Sequence, residues 1–421
     1  MISGFACILF RNKVFTFSIK KSVTVAGNQV SKTRNCCNME EVLNQDCVQK
    51  DAKSNKRSFE LSHEVEPAQV EETVKRARSQ KKKKFALLLS YCGQGYLGMQ
   101  FNHGFKTIEG ELFQAFLKLG IMDDDSLNTP QSIHFQRAAR TDKGVSAIRQ
   151  VVSLKMSNIL FAGIPDEDLC KELNSLLPHC VQVLATRKVT AGFNSKTACD
   201  SRSYAYVMPT FAFASKEVPP SHQFRLKSET LDQVNSLLSF FKGTRNYHNF
   251  TSGRPAQDPS CKRYVTHFSC SLPFIVKDVE FVKITIKGQS FMLHQIRKMI
   301  GLTIAIMRGF TSKEILEKAF KMERVNIPTA PSLNLLLEEP HYDSYNRRYG
   351  SDGVHEALDW SSCAVDVDQF YKNSILPVIY EGEMDSPDGG SMKNWLLTSL
   401  PLHTYEFPLK PEEKLPDLVC D

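Results

Sequence analysis

The segment with the most chemical character in this 421-residue chain is Ala138 to Ala147, AARTDKGVSA. It sets one carboxylate, Asp142, between two cations, Arg140 and Lys143, and follows them with Gly144, which permits an irregular backbone. Opposite charges within ~4–6 Å lower an acid's pKa, so Asp142 is expected to be held ionised. An ionised, positioned carboxylate can serve as a nucleophile or a base. The same residues also fit a plain surface turn with an Asp–Arg pair. Gly93, Gly95 and Gly98 spell GxGxxG, the dinucleotide-binding pattern, but that chemistry needs a helix to open at the glycines and aim its amides at a pyrophosphate. Here MQFNHGFKT (99–107) intervenes before the next helical pattern. A tight turn and a close backbone approach are the expectation instead. The twelve cysteines form no CxxC pair, and no two histidines fall within four residues of each other. Reduced thiols in an intracellular compartment and no structural zinc are expected.

Elements that could position Asp142 are readable on both sides of it. FALLLSYC from Phe85 reads as a buried strand, Thr107 to Leu119 as an amphipathic helix, and Ile133 to Arg140 and Ala147 to Met156 as strands flanking the Asp142 loop. Asp166 to Leu177 is helical behind Pro165. Strands follow at Val181 to Val189 and Arg202 to Met208. A helix at Ser228 to Phe241, strands at Arg263 to Ser271 and Val279 to Lys287, and a helix at Met292 to Met307 form a second, similar set. Paired strands with interspersed helices predict an α+β fold with largely antiparallel sheets.

Net charge is +7, but it is unevenly spread: +8 over residues 1–84, +9 over 85–310 and −10 over 311–421. A basic body favours a polyanionic partner. The longest largely apolar run, Met299 to Met307, is nine residues against the ~18 of a membrane-spanning helix, so a soluble chain is expected. The first 39 residues carry six cations and no acid, the composition of a mitochondrial presequence, and Met39 is a second possible start. Lys75, Arg76, Arg78 and Lys81 to Lys84 form a basic cluster suited to nuclear import or to holding nucleic acid. Residues 40–84 have the low hydrophobicity of a linker.

The run RTDKGVSA resembles the active-site loop of the TruA family of tRNA pseudouridine synthases, in particular its eukaryotic nuclear and mitochondrial branch. GYLGMQFN (95–102), TIEGELFQA (107–115), GFNSKTACDSRSYAYVMPTFAFA (192–214), GTRNYHNFT (243–251), SFMLHQIRKMIG (290–301) and DGVHEALDW (352–360) match in the same order, so the resemblance runs from about Phe85 to Phe407. It implies the pseudouridine synthase fold, two α+β domains flanking a basic cleft: 85–215 carrying the catalytic Asp and 216–345 completing the body. A presequence (1–38), a linker (39–84) and an acidic extension (346–421) complete the chain. It further implies isomerisation of uridine in tRNA without cofactor or metal, with messenger and small nuclear RNA as further substrates, a monomer, and a place in mitochondrion and nucleus, with the cytoplasm as a further site. Asp142 would be the essential carboxylate and Arg140 its orienting cation. Tyr204 would stack on the target uracil, which must leave its helix to be reached, and Arg297 would approach Asp142 from the second domain. Lys143, Arg202, Lys298 and Arg149 would bind substrate, Arg202 and Lys298 by neutralising phosphates. The chain departs from the family pattern at Arg149, Ser332 and Asn334, where relatives favour small residues; Asn334 is expected to tolerate a left-handed backbone. An inactive RNA-binding or chaperone protein of the same fold is the competing reading, and an RNA methyltransferase a third.

Overall fold

The computed structural model describes residues 7–10, 13–16, 82–156, 166–384 and 390–406. The chain divides into a unit Met1–Glu64 and a unit Val65–Asp421. Within the first, β1 (Cys7–Phe10) pairs antiparallel with β2 (Lys13–Thr16). The rest of the expected presequence, and the linker as far as residue 81, lie outside the described residues.

The larger unit is built on one ten-stranded sheet. Its first half holds β3 (Lys83–Tyr91), the two-residue β4 (Gln136–Arg137), β5 (Ser146–Met156) and β6 (Val181–Lys188). Its second half holds β7 (Ser201–Pro209), β8 (Gly243–Asn246), β9 (Lys262–Cys270), β10 (Phe274–Val276) and β11 (Val279–Gly288). Between the halves runs β12 (Leu335–His341), giving the order β6-β3-β5-β12-β7-β11-β9-β8. Every pairing is antiparallel except β12 with β5, registered through Leu336↔Ser146 and Leu337↔Ala147. The seam therefore falls before β7, which the sequence places with the first domain but which pairs with β11 and β12 of the second.

Strand alternation separates two apolar layers. Leu87, Leu89, Tyr204, Tyr206 and Ile284 face one core, which also takes the apolar stripes of α1 (Ile108–Lys118), α2 (Asp166–Leu176), α3 (Ser228–Ser239) and α4 (Gln295–Met307). Ala86, Leu88, Ala205 and Val207 face the other, covered by α5 (Asp343–Tyr349), α6 (Ala364–Phe370) and α7 (Leu376–Met384) of the acidic extension. Helix α1 begins where Thr107 caps the Gly110 N–H at 3.2 Å, with Glu109 and Glu111 against the positive end of its dipole.

Several boundaries differ from the sequence reading for local reasons. β3 begins at Lys83, so Lys84 is a buried strand residue whose Nζ donates to the His134 carbonyl at 2.6 Å; burial pulls its pKa down to about 8. The expected strand from Ile133 shrinks to β4 because a 3₁₀ turn over Pro130–Ile133 ends in left-handed His134 (φ 52°). Helix α4 starts at Gln295 rather than Met292, since His294 is also left-handed. Asn334 is not in the left-handed region at all. It is buried, and its amide donates to the Val207 carbonyl at 2.9 Å and to Glu383 Oε1 of α7 at 2.8 Å.

Glu383 is buried and also accepts from the Met392 N–H at 2.9 Å, yet burial still raises its pKa from 4.5 to about 7. Its folded pKa exceeds the unfolded value. The stability it contributes is thus fully present below about pH 4.5 and is lost as pH rises to about 7. Glu383→Gln, which keeps an acceptor there but cannot ionise, should gain thermal stability relative to wild type as pH is raised from about 5 to about 8. Melting curves across that range check this; a constant difference between the two proteins removes the buried carboxyl as a source of pH dependence.

Candidate active site

Asp142 lies on the connection from β4 to β5, which is tied down through backbone bonds on both sides of Asp142. Ala138 N–H donates to the Val151 carbonyl at 2.8 Å, and its own carbonyl takes two bonds from the Arg202 guanidinium, 3.0 Å from Nε and 2.8 Å from Nη2. The Gln150 amide clamps Ala139 at both ends, accepting its N–H at 3.2 Å and donating to its carbonyl at 2.8 Å. Thr141 is held by the Tyr91 hydroxyl at 2.8 Å and by the Met99 N–H on its carbonyl at 3.2 Å. Val145 N–H closes a turn onto the Asp142 carbonyl at 3.1 Å, with Gly144 at φ 77° inside it.

Two glycines of the GxGxxG run, Gly93 and Gly98, pack against this connection. A Cβ on Gly98 would sit 2.6 Å from the Thr141 carbonyl oxygen, and one on Gly93 would collide with that of Val145. The space their side chains would need is taken by the backbone of Thr141, Asp142 and Val145, as the close-approach reading expected.

The groups that approach the Asp142 carboxylate come from the start of α4, in the other half of the sheet. His294 Nε2 lies 3.6 Å and Arg297 Nη1 3.7 Å from Oδ2. Arg297 is fixed by its Nε bond to the Ala330 carbonyl at 2.7 Å, and Ala330 N–H returns a bond to the Arg297 carbonyl. The neighbours that the sequence set around Asp142, Arg140 and Lys143, are both exposed and are not its ion-pair partners. Their side chains are exposed to solvent instead.

Tyr204 and Tyr206, two residues apart on β7, share one face of the strand. Tyr204 is buried, its ring edge-on to Phe291 at 5.3 Å. Burial pushes its hydroxyl up to about 12, with the Asp142 charge adding to the shift, so the phenol stays protonated near neutral pH. Tyr206 is committed to structure through its hydroxyl bond to the Pro331 carbonyl at 2.9 Å.

Three of the expected substrate-binding cations are used otherwise. Arg202 is 8% exposed and spends its guanidinium on the carbonyls of Ala138, Gln289 and Lys196. Lys298 is 9% exposed, donates to the carbonyls of Asn249 and Thr251, and is pulled down to about 8 by burial. Arg149 is half-buried and its charge acts on Cys363 under the acidic extension, on the opposite face from Asp142. Conversely His294, Gln150 and Tyr91 belong to the site and were passed over: an isolated His, a strand Gln and a strand Tyr carry no spacing signal. Among the described residues no group of three His, Cys, Asp or Glu could hold a metal ion.

Residues 238–343, which include His294 and Arg297, match the family described as tRNA pseudouridine synthase. The pseudouridylate synthase 1 homolog of Mus musculus is 45% identical over 328 residues, covering 77% of this chain and 75% of that protein. The Homo sapiens homolog is 46% identical over 323 residues (76% and 73%), and the tRNA pseudouridine synthase 1 of Yarrowia lipolytica is 34% identical over 362 residues (66% and 67%). With that much of the chain shared at that identity, and a carboxylate clamped opposite an arginine across the seam of a mostly antiparallel sheet, this chain belongs to the TruA-type family of tRNA pseudouridine synthases, which are isomerases.

Proposed function

We propose that this chain isomerises uridines of tRNA, in the anticodon stem and loop, with Asp142 as the essential carboxylate. The observation that carries the reading is the rigid presentation of Asp142, clamped through its backbone and faced by Arg297 and His294 at 3.6–3.7 Å. In the reaction the bond from C1′ to N1 breaks, the uracil turns, and C1′ joins C5; C5 loses a proton and N1 gains one, so nothing is oxidised. Asp142 acts on the sugar or the ring, and Arg297 orients it. Tyr204 supplies the aromatic surface that holds the extruded base, since a base must leave its stack to be reached. Arg140 and Lys143, exposed on either side of Asp142, are placed to take the flanking phosphates. Messenger and small nuclear RNA are further candidate substrates, and a monomer is the proposed state. The acid-free N-terminus and the basic cluster, less the buried Lys84, support a mitochondrial and nuclear location.

Asp142→Asn should lower pseudouridine formation on a tRNA transcript by at least ~100-fold while tRNA affinity stays within a few-fold of wild type. Chemical mapping of pseudouridine alongside a binding titration checks this. Equal product from the variant refutes the catalytic assignment, and no product from wild type makes the chain an RNA-binding protein on an enzyme fold.

The two kinds of cation separate in a second experiment. Lys143→Gln should leave the melting temperature unchanged, weaken tRNA binding and reduce the slope of log affinity against log salt by about 1. Arg202→Gln should lower the melting temperature and kcat with the salt slope unchanged. The reverse pattern would return Arg202 to the RNA surface.

A further inference from the structure

His294 is not accounted for by the roles above, and two independent features single it out. The first is its place: Nε2 is 3.6 Å from the same Asp142 oxygen that Arg297 approaches at 3.7 Å, so one turn of chain brings two nitrogen donors to one carboxylate oxygen. The second is its backbone. At φ 61° and ψ 3° it occupies the left-handed region immediately before α4, a position that glycine or asparagine fills with less strain. Its side chain makes no capping bond to the helix it precedes. The turn is closed instead by Gln295, whose Oε1 accepts the Met292 N–H at 2.8 Å. Strain of this kind persists where the side chain is needed in a particular place.

The charged groups facing the ring are Asp142 from the β4–β5 connection and Arg297 and Lys298 from α4. Burial lowers the imidazole pKa below its usual 6.5, the two cations add to that, and Asp142 opposes it. A neutral imidazole at pH 7 with hydrogen on Nε2 can donate toward Asp142 without neutralising it. A charged one would tie the carboxylate into an ion pair.

We infer that His294 is a positioning residue of the isomerisation, which steers Asp142 Oδ2 together with Arg297 so that the carboxylate presents its other oxygen to the nucleotide. This rests on the reading of Asp142 as the essential carboxylate. Displacing a reacting group by an ångström costs up to ~100-fold in rate, which is the scale of effect that such steering controls.

The test uses the full chain on a tRNA transcript with four variants. His294→Ala should lower single-turnover rate by about 10- to 100-fold while tRNA affinity changes less than about twofold. His294→Gln, which retains a donor, should recover most of that rate, and because it cannot charge it should keep a larger share of its optimum at about pH 5.5 than wild type does. His294→Gly should melt at or above the wild-type temperature, relieved of backbone strain, and still lose rate as the Ala variant does. That combination separates a side chain kept for positioning from one kept for folding. Wild-type rates in His294→Ala overturn the inference, as does a rate loss that Gln does not restore and that tracks a lowered melting temperature. Asp142→Asn is the control on the underlying reading. If it is inactive while the His294 variants are unaffected, the positioning role alone fails; if it is active, the catalytic assignment itself has failed.

Discussion

Buried peptide groups must be hydrogen-bonded, and the site depends on how that requirement is met between Ala138 and Val145. This connection leaves β4 and cannot use ladder bonds, so each carbonyl and N–H needs a partner from elsewhere. Arg202 and Val151 bond Ala138, Gln150 bonds both ends of Ala139, Met99 the Thr141 carbonyl and Tyr96 the Gly144 N–H, while the Tyr91 hydroxyl holds the Thr141 side chain; each comes from a strand or loop outside the connection itself. Leaving one such group unbonded costs roughly 1–3 kcal/mol, so the conformation that satisfies all of them is strongly preferred over looser ones. A carboxylate on such a frame is already oriented before substrate arrives, which is the condition for it to accelerate a reaction rather than merely bind.

The second half of the site arrives through the sheet. Arg297 and His294 sit some 150 residues beyond Asp142 in the chain, and they meet it because β12 inserts between β5 and β7. The segment leading into β12 carries Ala330 and Pro331, whose carbonyls hold Arg297 and Tyr206. Gly301, whose Cβ would collide with the Pro328 carbonyl, lets α4 settle against that segment. The one parallel pairing in the sheet is therefore the joint that registers the half carrying Asp142 against the half carrying Arg297 and His294.

This division explains what could be read in advance. Strands β3, β5, β7, β9 and β11 and helices α1 to α4 follow from periods of 2 and 3.6 residues, and Asp142 stood out through its neighbours. Strand β12 did not: LLLEEPH is a short apolar run without alternation, and its partners are set by pairing across nearly two hundred residues. Arg202 and Lys298 were read as phosphate contacts because a cation's type does not reveal whether its donors meet solvent or buried carbonyls. Arg140 looked like the partner of Asp142 because adjacency in sequence was taken for adjacency in space, whereas the nitrogens that approach the carboxylate come from His294 and Arg297.

The acidic extension shows how burial, more than net charge, assigns roles here. Its α6 and α7, with α5 just ahead of them, cover the sheet face opposite Asp142, while Met392, Leu396 and Leu400 farther along pack into the core on the Asp142 side. One carboxyl of that extension is taken inside. Glu383 bonds Asn334, which in turn bonds Val207, and Asn334 lies two residues after Ser332, which is beside Gly144, and three after Pro331, whose carbonyl accepts from Tyr206. Buried polar groups with this many partners fix geometry more than they add stability. Asn334 is thus an amide that ties the far layer to the segment supporting Arg297, so the extension braces the surroundings of Asp142 from behind.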